Sequence, residues 1–194
     1  APPVHLEGKQ SVGYWNLLPK LSVSWHPTEA LRAYATVSRG VKTGGFNEQS
    51  FSDLVSTAQQ QDLQASISHK GGFDPATIPS HTTYKPEHSW SYELGMRYSQ
   101  PHLGLDLSAS AYLMQVRDLQ LTRFVASGAG RMVGNAGASR TLGVELTASK
   151  RLWSSLRAHL SYSLTDARFT EDVKTAPRGN FVPFIPRHTY SVML

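Results

Sequence analysis

"LRAYATVSRGVKTGGFN", residues 31–47, is the stretch whose reading decides the fold. Leu31, Ala33, Ala35 and Val37 fall on one side of an extended chain, and Arg32, Tyr34, Thr36 and Ser38 on the other. A two-residue period of this kind describes a β-strand that meets an apolar environment on one face and a polar one on the other. The strand then runs into a glycine pair, Gly44 and Gly45, which predicts a sharp backbone bend at the start of a loop.

The device recurs along the chain. Leu21, Val23 and Trp25 alternate with polar residues just before it, and "HPTEA" supplies a turn between the two strands. "SWSYELGMRY" places Trp90, Tyr92, Leu94, Met96 and Tyr98 on one face. After "SQPHLG", Leu105, Leu107, Ala109, Ala111 and Leu113 alternate with polar residues, and the phase blurs over Met114–Arg117, which predicts a β-bulge there. "TLGVELTASK" and "LRAHLSYSLTD" add two more strands, and a seventh begins near Arg187. An eighth would have to lie before Pro19, around "SVGYWN".

The connections alternate in length. "HPTEA", "SQPHLG" and "KRLWSS" are short, whereas the segments over 42–86 and after Phe169 are long. The connection around "ASGAG" fits the long series if strands reaching past Gln120 and back from Arg131 form a tall hairpin. Within the longest loop, Phe51, Leu54, Val55 and Ala58 have helical spacing behind Ser52 or Asp53 as a cap, which predicts a short helix.

Composition narrows the function classes. The 194 residues are 40% hydrophobic and 17% charged, a balance that suits β-structure. Cysteine is absent, so thiolate chemistry and disulfides are excluded. The net charge of +5 is spread over single residues and forms no nucleic-acid stripe. No apolar run reaches the roughly 20 residues of a spanning helix, so any membrane role falls to strands. Strands of about ten residues with aromatic ends, joined by alternating short and long connections, are the pattern of an outer-membrane β-barrel. In that reading Leu, Val and Ala face lipid, while Arg32, Tyr34, Glu93, Arg97, Glu145, Arg157 and His159 face a wet lumen. A soluble antiparallel sandwich that binds carbohydrate through its Trp and Tyr residues is the alternative, and its Leu rows would be packed between two sheets. Since a sheet in lipid must close on itself, seven or eight strands form a barrel only with further strands. Alone, the sheet edges would pair between copies.

"PKLSVSWHPTEALRAYATVSRGVKTGGFN", "YKPEHSWSYELGMRY", "RDLQLTRF", "VGNAGASRTLGVELTASKRL" and "PFIPRHTYSV", in that order, resemble successive barrel strands of the TonB-dependent outer-membrane receptors. The resemblance implies an all-β fold: an antiparallel meander of about 7–8 long strands, part of a 22-stranded transmembrane β-barrel with long extracellular loops. Residues 1–194 would be a partial barrel domain, with the long external loop at 42–86. It implies active transport of an iron-siderophore complex or similar scarce nutrient in the bacterial cell outer membrane. The implied partners are a plug domain, the remaining barrel strands, TonB acting through the plug, an iron-chelate ligand and outer-membrane lipid. The plug, the TonB-contacting segment and the closing strand of the family have no counterpart in the sequence, so transport by this chain alone is not expected. A passive structural or adhesive outer-membrane barrel would share the lipid face and need no energy coupling.

Site residues are few. Lys42, Phe46 and Asn47 at the glycine-rich loop mouth suit contact with an anionic chelate, beside the plainer reading of a loop held by its own turns. His69, His81 and His88 have no metal-ligand spacing, so neither metal nor cofactor is expected. Glu93 and Glu145 each sit within a strand among small polar residues, which speaks against a catalytic carboxylate pair and an enzyme. Asn135–Gly137 reads as an architectural turn that starts a strand.

Overall fold

A computed structural model describes residues 11–47, 83–124, 131–173 and 177–194. The short helix expected within 50–64, and His69 and His81, lie outside the described residues. Seven strands form one antiparallel sheet in the order β1-β2-β5-β6-β9-β10-β11. They are β1 (Lys20–Trp25), β2 (Leu31–Lys42), β5 (Glu87–Gln100), β6 (Leu105–Arg117), β9 (Ala138–Arg151), β10 (Arg157–Phe169) and β11 (His188–Met193). Two small sheets complete the set: β3 (Gly45–Phe46) pairs with β4 (Thr83–Tyr84), and β7 (Gln120–Phe124) with β8 (Arg131–Asn135). The main sheet is a meander whose neighbours in space are neighbours in sequence, apart from these two insertions. Residues 11–19 form no strand, so no eighth strand lies around "SVGYWN".

All short connections lie at one end of the sheet and all long ones at the other. At the short-turn end, Pro101–Leu103 makes a single 3-10 turn closed by Gly104 with φ 58. A Cβ on Gly104 would stand 2.6 Å from Cβ of Arg151, so both conformation and space require glycine there. At the long-loop end the β7–β8 hairpin continues the line of β6 and β9, as a tall projection should, after a break at Asp118 and Gly137, both with positive φ.

Register across the sheet keeps like with like. One ladder row runs Val23–Ala35–Leu94–Ala111–Val144–Leu164, and the next runs Leu21–Val37–Tyr92–Leu113–Leu142. Between them lies the polar row Ser22–Thr36–Glu93–Tyr112–Gly143–Thr165. A slip of one residue at any strand would break all of these rows at once. The sheet is a single layer, and among the described residues no second sheet covers the apolar rows: Leu94 is 66% exposed and Leu160 51%. This is not the arrangement of a sandwich, in which such residues interdigitate within a core.

The bulge expected at Met114–Arg117 does not form, because β6 keeps unbroken register with β5 and β9 through Arg117. The phase blurs for another reason. Near the long-loop end the two faces exchange character: Gln115 and Arg117, on the otherwise apolar face, are exposed, while Val116 on the polar face is buried. On that same polar face Ala167 and Phe169 bury themselves against Val182, with Leu119, Leu121 and Val173 packed around them. Val173 and Val182 from the described part of the connection after Phe169, and Leu119 and Leu121 at the base of the β7–β8 hairpin, give this end of the sheet a small core.

Two tyrosines show how the polar face is built. Tyr34 lies opposite Gly95 and Tyr112 opposite Gly143. A Cβ on Gly95 would come within 2.4 Å of the Tyr34 ring, and one on Gly143 within 2.3 Å of the Tyr112 ring. Each ring lies down on the backbone of the neighbouring strand, a cross-strand contact that replaces the side chain glycine lacks. Gly95→Ala is expected to cost about 1–3 kcal/mol in denaturant titration, the usual range for overpacking. In a Tyr34→Ala background most of that loss should vanish, and additive losses would show that the ring does not set the requirement for glycine.

Candidate functional site

Arg32, Tyr34, Glu93, Arg97, Glu145, Arg157 and His159 all project from the face opposite the Leu, Val and Ala rows. Hydroxyl pairs bridge the strands on this face: Ser22 with Thr36 at 2.9 Å, Ser108 with Thr147, and Ser161 with Ser191 at 2.8 Å. The Tyr34 hydroxyl donates to Oε1 of Glu93, and the Tyr112 hydroxyl sits 3.3 Å from Oγ1 of Thr165. Glu93 on β5 and Glu145 on β9 are separated by the whole of β6, so they are not brought together as a carboxylate pair. Around Tyr34, Glu93, Arg97, Ser108, Ser110 and Glu145 the face forms a shallow polar depression of about 270 Å³.

The wall also has a feature that period counting misses. Arg32 and Arg97 are directly opposite one another on β2 and β5, and both are exposed. Like charges in that position repel. Among the described residues neither has a carboxylate partner, whereas Arg157 reaches Asp106 at 3.5 Å near the short-turn end. Only register could reveal the pairing, since the two arginines are far apart in sequence.

At the long-loop end, three amide side chains hold the loop bases together. Nε2 of Gln120 donates to the carbonyls of Thr43 and Lys85, both at 3.0 Å, and lies 3.3 Å from that of Lys42. The backbone N–H of Gln120 donates to Oε2 of Glu87 at 2.7 Å. Asn135 accepts from Lys85 N–H at 2.7 Å and donates to the carbonyls of Lys85 and Asp118. Asn47 bonds to both backbone groups of Val133, donating at 2.9 Å and accepting at 2.7 Å, much as an added strand residue would. Gln120 and Asn47 are each 8% exposed, and buried polar groups of this kind need all their partners.

The candidates at the loop mouth therefore part company. The Lys42 side chain is exposed at the end of β2. Phe46 pairs with Thr83 in the small β3–β4 sheet. Asn47 has both amide atoms engaged with the β7–β8 hairpin. Gly44 and Gly45 do not have positive φ, so the sharp bend expected of them is absent. They are needed for room: a Cβ on Gly44 would meet the Tyr84 carbonyl at 2.4 Å, and one on Gly45 the Tyr84 hydroxyl at 2.7 Å. His88 lies on the face of the apolar rows, opposite Arg117. No cluster of metal-ligating side chains occurs among the described residues, and none of their helices is long and apolar enough to cross a membrane, which leaves strands unaddressed.

Gln120→Leu removes the donor that three carbonyls share and is expected to loosen both loop bases. Hydrogen exchange at Gly45, Phe46 and Lys85 should accelerate about tenfold, the equivalent of one lost buried hydrogen bond. Unchanged exchange there would mean that the backbone pairing holds the loops without the amide.

Comparison with known proteins agrees with this architecture. The ferric yersiniabactin uptake receptor FyuA from Yersinia pestis is 26% identical to this chain, covering 89% of it and 22% of its own chain, with a TM-score of 0.61. The copper transporter OprC (18% identity, 89% and 23% coverage, TM-score 0.59) and the unliganded ferric citrate transporter FecA (20%, 90% and 22%, TM-score 0.55) share the fold. The chain thus spans about a quarter or less of the length of each. No curated protein matches the chain. A family described as TonB dependent receptor-like, beta-barrel matches residues 4–194, nearly the whole sequence and every strand described above, and the chain belongs to that family.

Proposed function

We propose that this chain is a wall segment, with its surface loops, of a bacterial outer-membrane transporter that takes up an iron-siderophore complex or a similarly scarce nutrient with energy delivered through TonB. The observation that carries the reading is the uncovered apolar face. Its apolar rows run across as many as six neighbouring strands, and among the described residues nothing covers them, which suits hydrocarbon and would be costly in water. Membership of the receptor family and the likeness to FyuA, an uptake receptor for a ferric siderophore, support the transport role.

In this reading residues 1–194 form part of a 22-stranded barrel, with 42–86 as the long external loop. The edges of β1 and β11 carry backbone groups that lipid cannot satisfy, so further strands must pair with both. Arg32, Tyr34, Glu93, Arg97, Glu145, Arg157 and His159 line the lumen. The unpartnered Arg32–Arg97 juxtaposition favours an acidic surface on a plug domain inside the barrel. Lys42 and Phe46 contact the ligand at the external mouth, and Asn47 fixes the loop that carries them. Among the described residues Glu93 and Glu145 are kept apart by β6, and the role proposed is transport without chemical conversion. A passive structural or adhesive barrel would share the lipid face. Ligand uptake separates the two, because only a TonB-coupled transporter needs an energised inner membrane.

Three measurements test the proposal in the receptor that carries this segment. Uptake of a radiolabelled iron chelate should be lost when TonB is deleted; uptake indifferent to TonB would favour the passive barrel. The sequence has no cysteine, so Leu94→Cys or Leu146→Cys should react with a membrane-permeant, lipid-soluble maleimide and resist a charged one, with the opposite result for Ser110→Cys. Equal labelling by the charged reagent at all three positions would remove the lipid-facing assignment. Leu94→Arg should destabilise the inserted barrel by about 2–4 kcal/mol, and a neutral effect in urea titration from bilayers would place Leu94 outside the hydrocarbon.

A further inference from the structure

At the long-loop end the connections between strands are joined to one another. The described parts of four of them stand in order along the sheet: residues 11–19 ahead of β1, 43–86 between β2 and β5, 118–137 between β6 and β9, and 170–187 between β10 and β11. The first runs beside β2, where the Pro19 carbonyl accepts from the Arg39 N–H at 3.0 Å, and it brings Tyr14 to the base of the second. A Cβ on Gly44 would stand 2.7 Å from the Tyr14 hydroxyl as well as 2.4 Å from the Tyr84 carbonyl. The second and third are tied by the amides of Asn47, Gln120 and Asn135, whose bonds cross from one to the other. The third and fourth meet at Gly137, whose φ is 69 and where a Cβ would stand 2.9 Å from Cγ1 of Val173. Leu119 and Leu121 pack with Val173 against the Ala167–Phe169–Val182 cluster, and the Thr170 N–H donates to the Ala138 carbonyl at 2.9 Å.

The three seams differ in chemistry and share one property. The first and last close over a glycine, where a side chain would push the neighbouring connection away, and the middle one is carried by amides whose partners are backbone groups alongside. A loop tied only to its own two strands opens at a cost set by its own few bonds, and its neighbours need not follow. Across these seams an opened connection strips partners from the next. Withdrawal of Asn47 leaves the N–H and carbonyl of Val133 unpaired, and withdrawal of Gln120 does the same to the carbonyls of Thr43 and Lys85. Backbone groups left open in this way are costly, so the cost of opening is distributed along the row. Such coupling is reciprocal: what the second connection lends the third, the third lends the second.

We propose that these four connections form one collar that opens as a single cooperative unit, with Tyr14, Gly44, Asn47, Gln120, Asn135 and Val173 as its positioning residues. Anything that binds or displaces one connection then shifts the others, out to the far side of the sheet. The inference goes beyond the transport reading and does not depend on it, because a passive barrel with the same seams would behave alike.

The test is hydrogen exchange read by mass spectrometry on the full receptor that carries this segment, held in lipid nanodiscs. Gly45 and Phe46 report the second connection, the Ala136 N–H, bonded to the Leu119 carbonyl at 2.7 Å, the third, and the Val182 N–H, bonded to the Ala167 carbonyl at 3.0 Å, the fourth. Leu94 and Ala111 report the wall. Two variants that remove contacts without adding bulk work from opposite ends of the row. Val173→Ala is expected to accelerate exchange by roughly fivefold at Val182 and by the same factor at Ala136, Gly45 and Phe46. Tyr14→Ala is expected to accelerate Gly45 and Phe46 and to carry the same factor across to Val182. In both variants Leu94 and Ala111 exchange as in the wild type. Acceleration confined to the connections touching the altered side chain overturns the collar, and so does no acceleration at all. Equal acceleration at Leu94 and Ala111 also overturns it, since the unit that opens is then the whole wall. None of these outcomes alters the dependence of uptake on TonB, which tests the transport reading separately.

Discussion

A strand in hydrocarbon has no solvent for its N–H and C=O groups, so every one must be paired with a neighbouring strand. The rest of the structure follows from that constraint. Pairing in a meander fixes which strands touch, and pairing in register fixes which residues share a row. Rows then decide what each solvent meets: Leu, Val and Ala on one side, hydroxyls and scattered charge on the other. With the fold set by ladder hydrogen bonds, the side chains of a one-layer wall are released from building a core, and most of the large apolar residues remain uncovered. This is the reverse of a soluble domain, where the interior is the place that apolar residues reach first.

In the proposed barrel the constraint ends where the strands leave the membrane, and the polarity of the two faces changes at that end of the sheet. Outward positions become Arg39, Arg140 and Arg168, while inward positions become Val116, Ala167 and Phe169, covered by the returning connection. In the proposed barrel this end stands in water, so the inner surface is the side that can be roofed by loops. The amides of Gln120, Asn47 and Asn135 then do for the loops what the ladder does for the strands: they satisfy backbone groups that irregular segments would otherwise leave open.

The strands were legible because their period is local. Leu31 to Val37 needs no partner to declare a half-apolar strand, and the alternation of short and long connections needs only counting. Contacts between distant strands were not legible in this way. Tyr34 and Gly95, and Arg32 and Arg97, are neighbours only once register joins segments far apart in sequence. The misplaced bulge at Met114–Arg117 has a related cause, since a phase rule assumes one pair of environments along the whole strand and this strand passes through two. The glycines of "TGGF" suggested freedom of φ, whereas their environment shows crowding by Tyr84, a property of the neighbour and invisible in the stretch itself. Asn47, similarly, looked available for a ligand because its partner, the backbone of Val133, lies in a different loop.

The tyrosines that rest on Gly95 and Gly143 bear on what the wall offers to anything beside it. A ring that stood away from the sheet would be a peg for a neighbouring body to catch on. Lying down, it spends its bulk sideways, and its hydroxyl is engaged by Glu93 or Thr165 within the same wall. The surface so made has low relief at both rings, so the groups it leaves standing toward a neighbour are the exposed Arg32 and Arg97 and not the tyrosines.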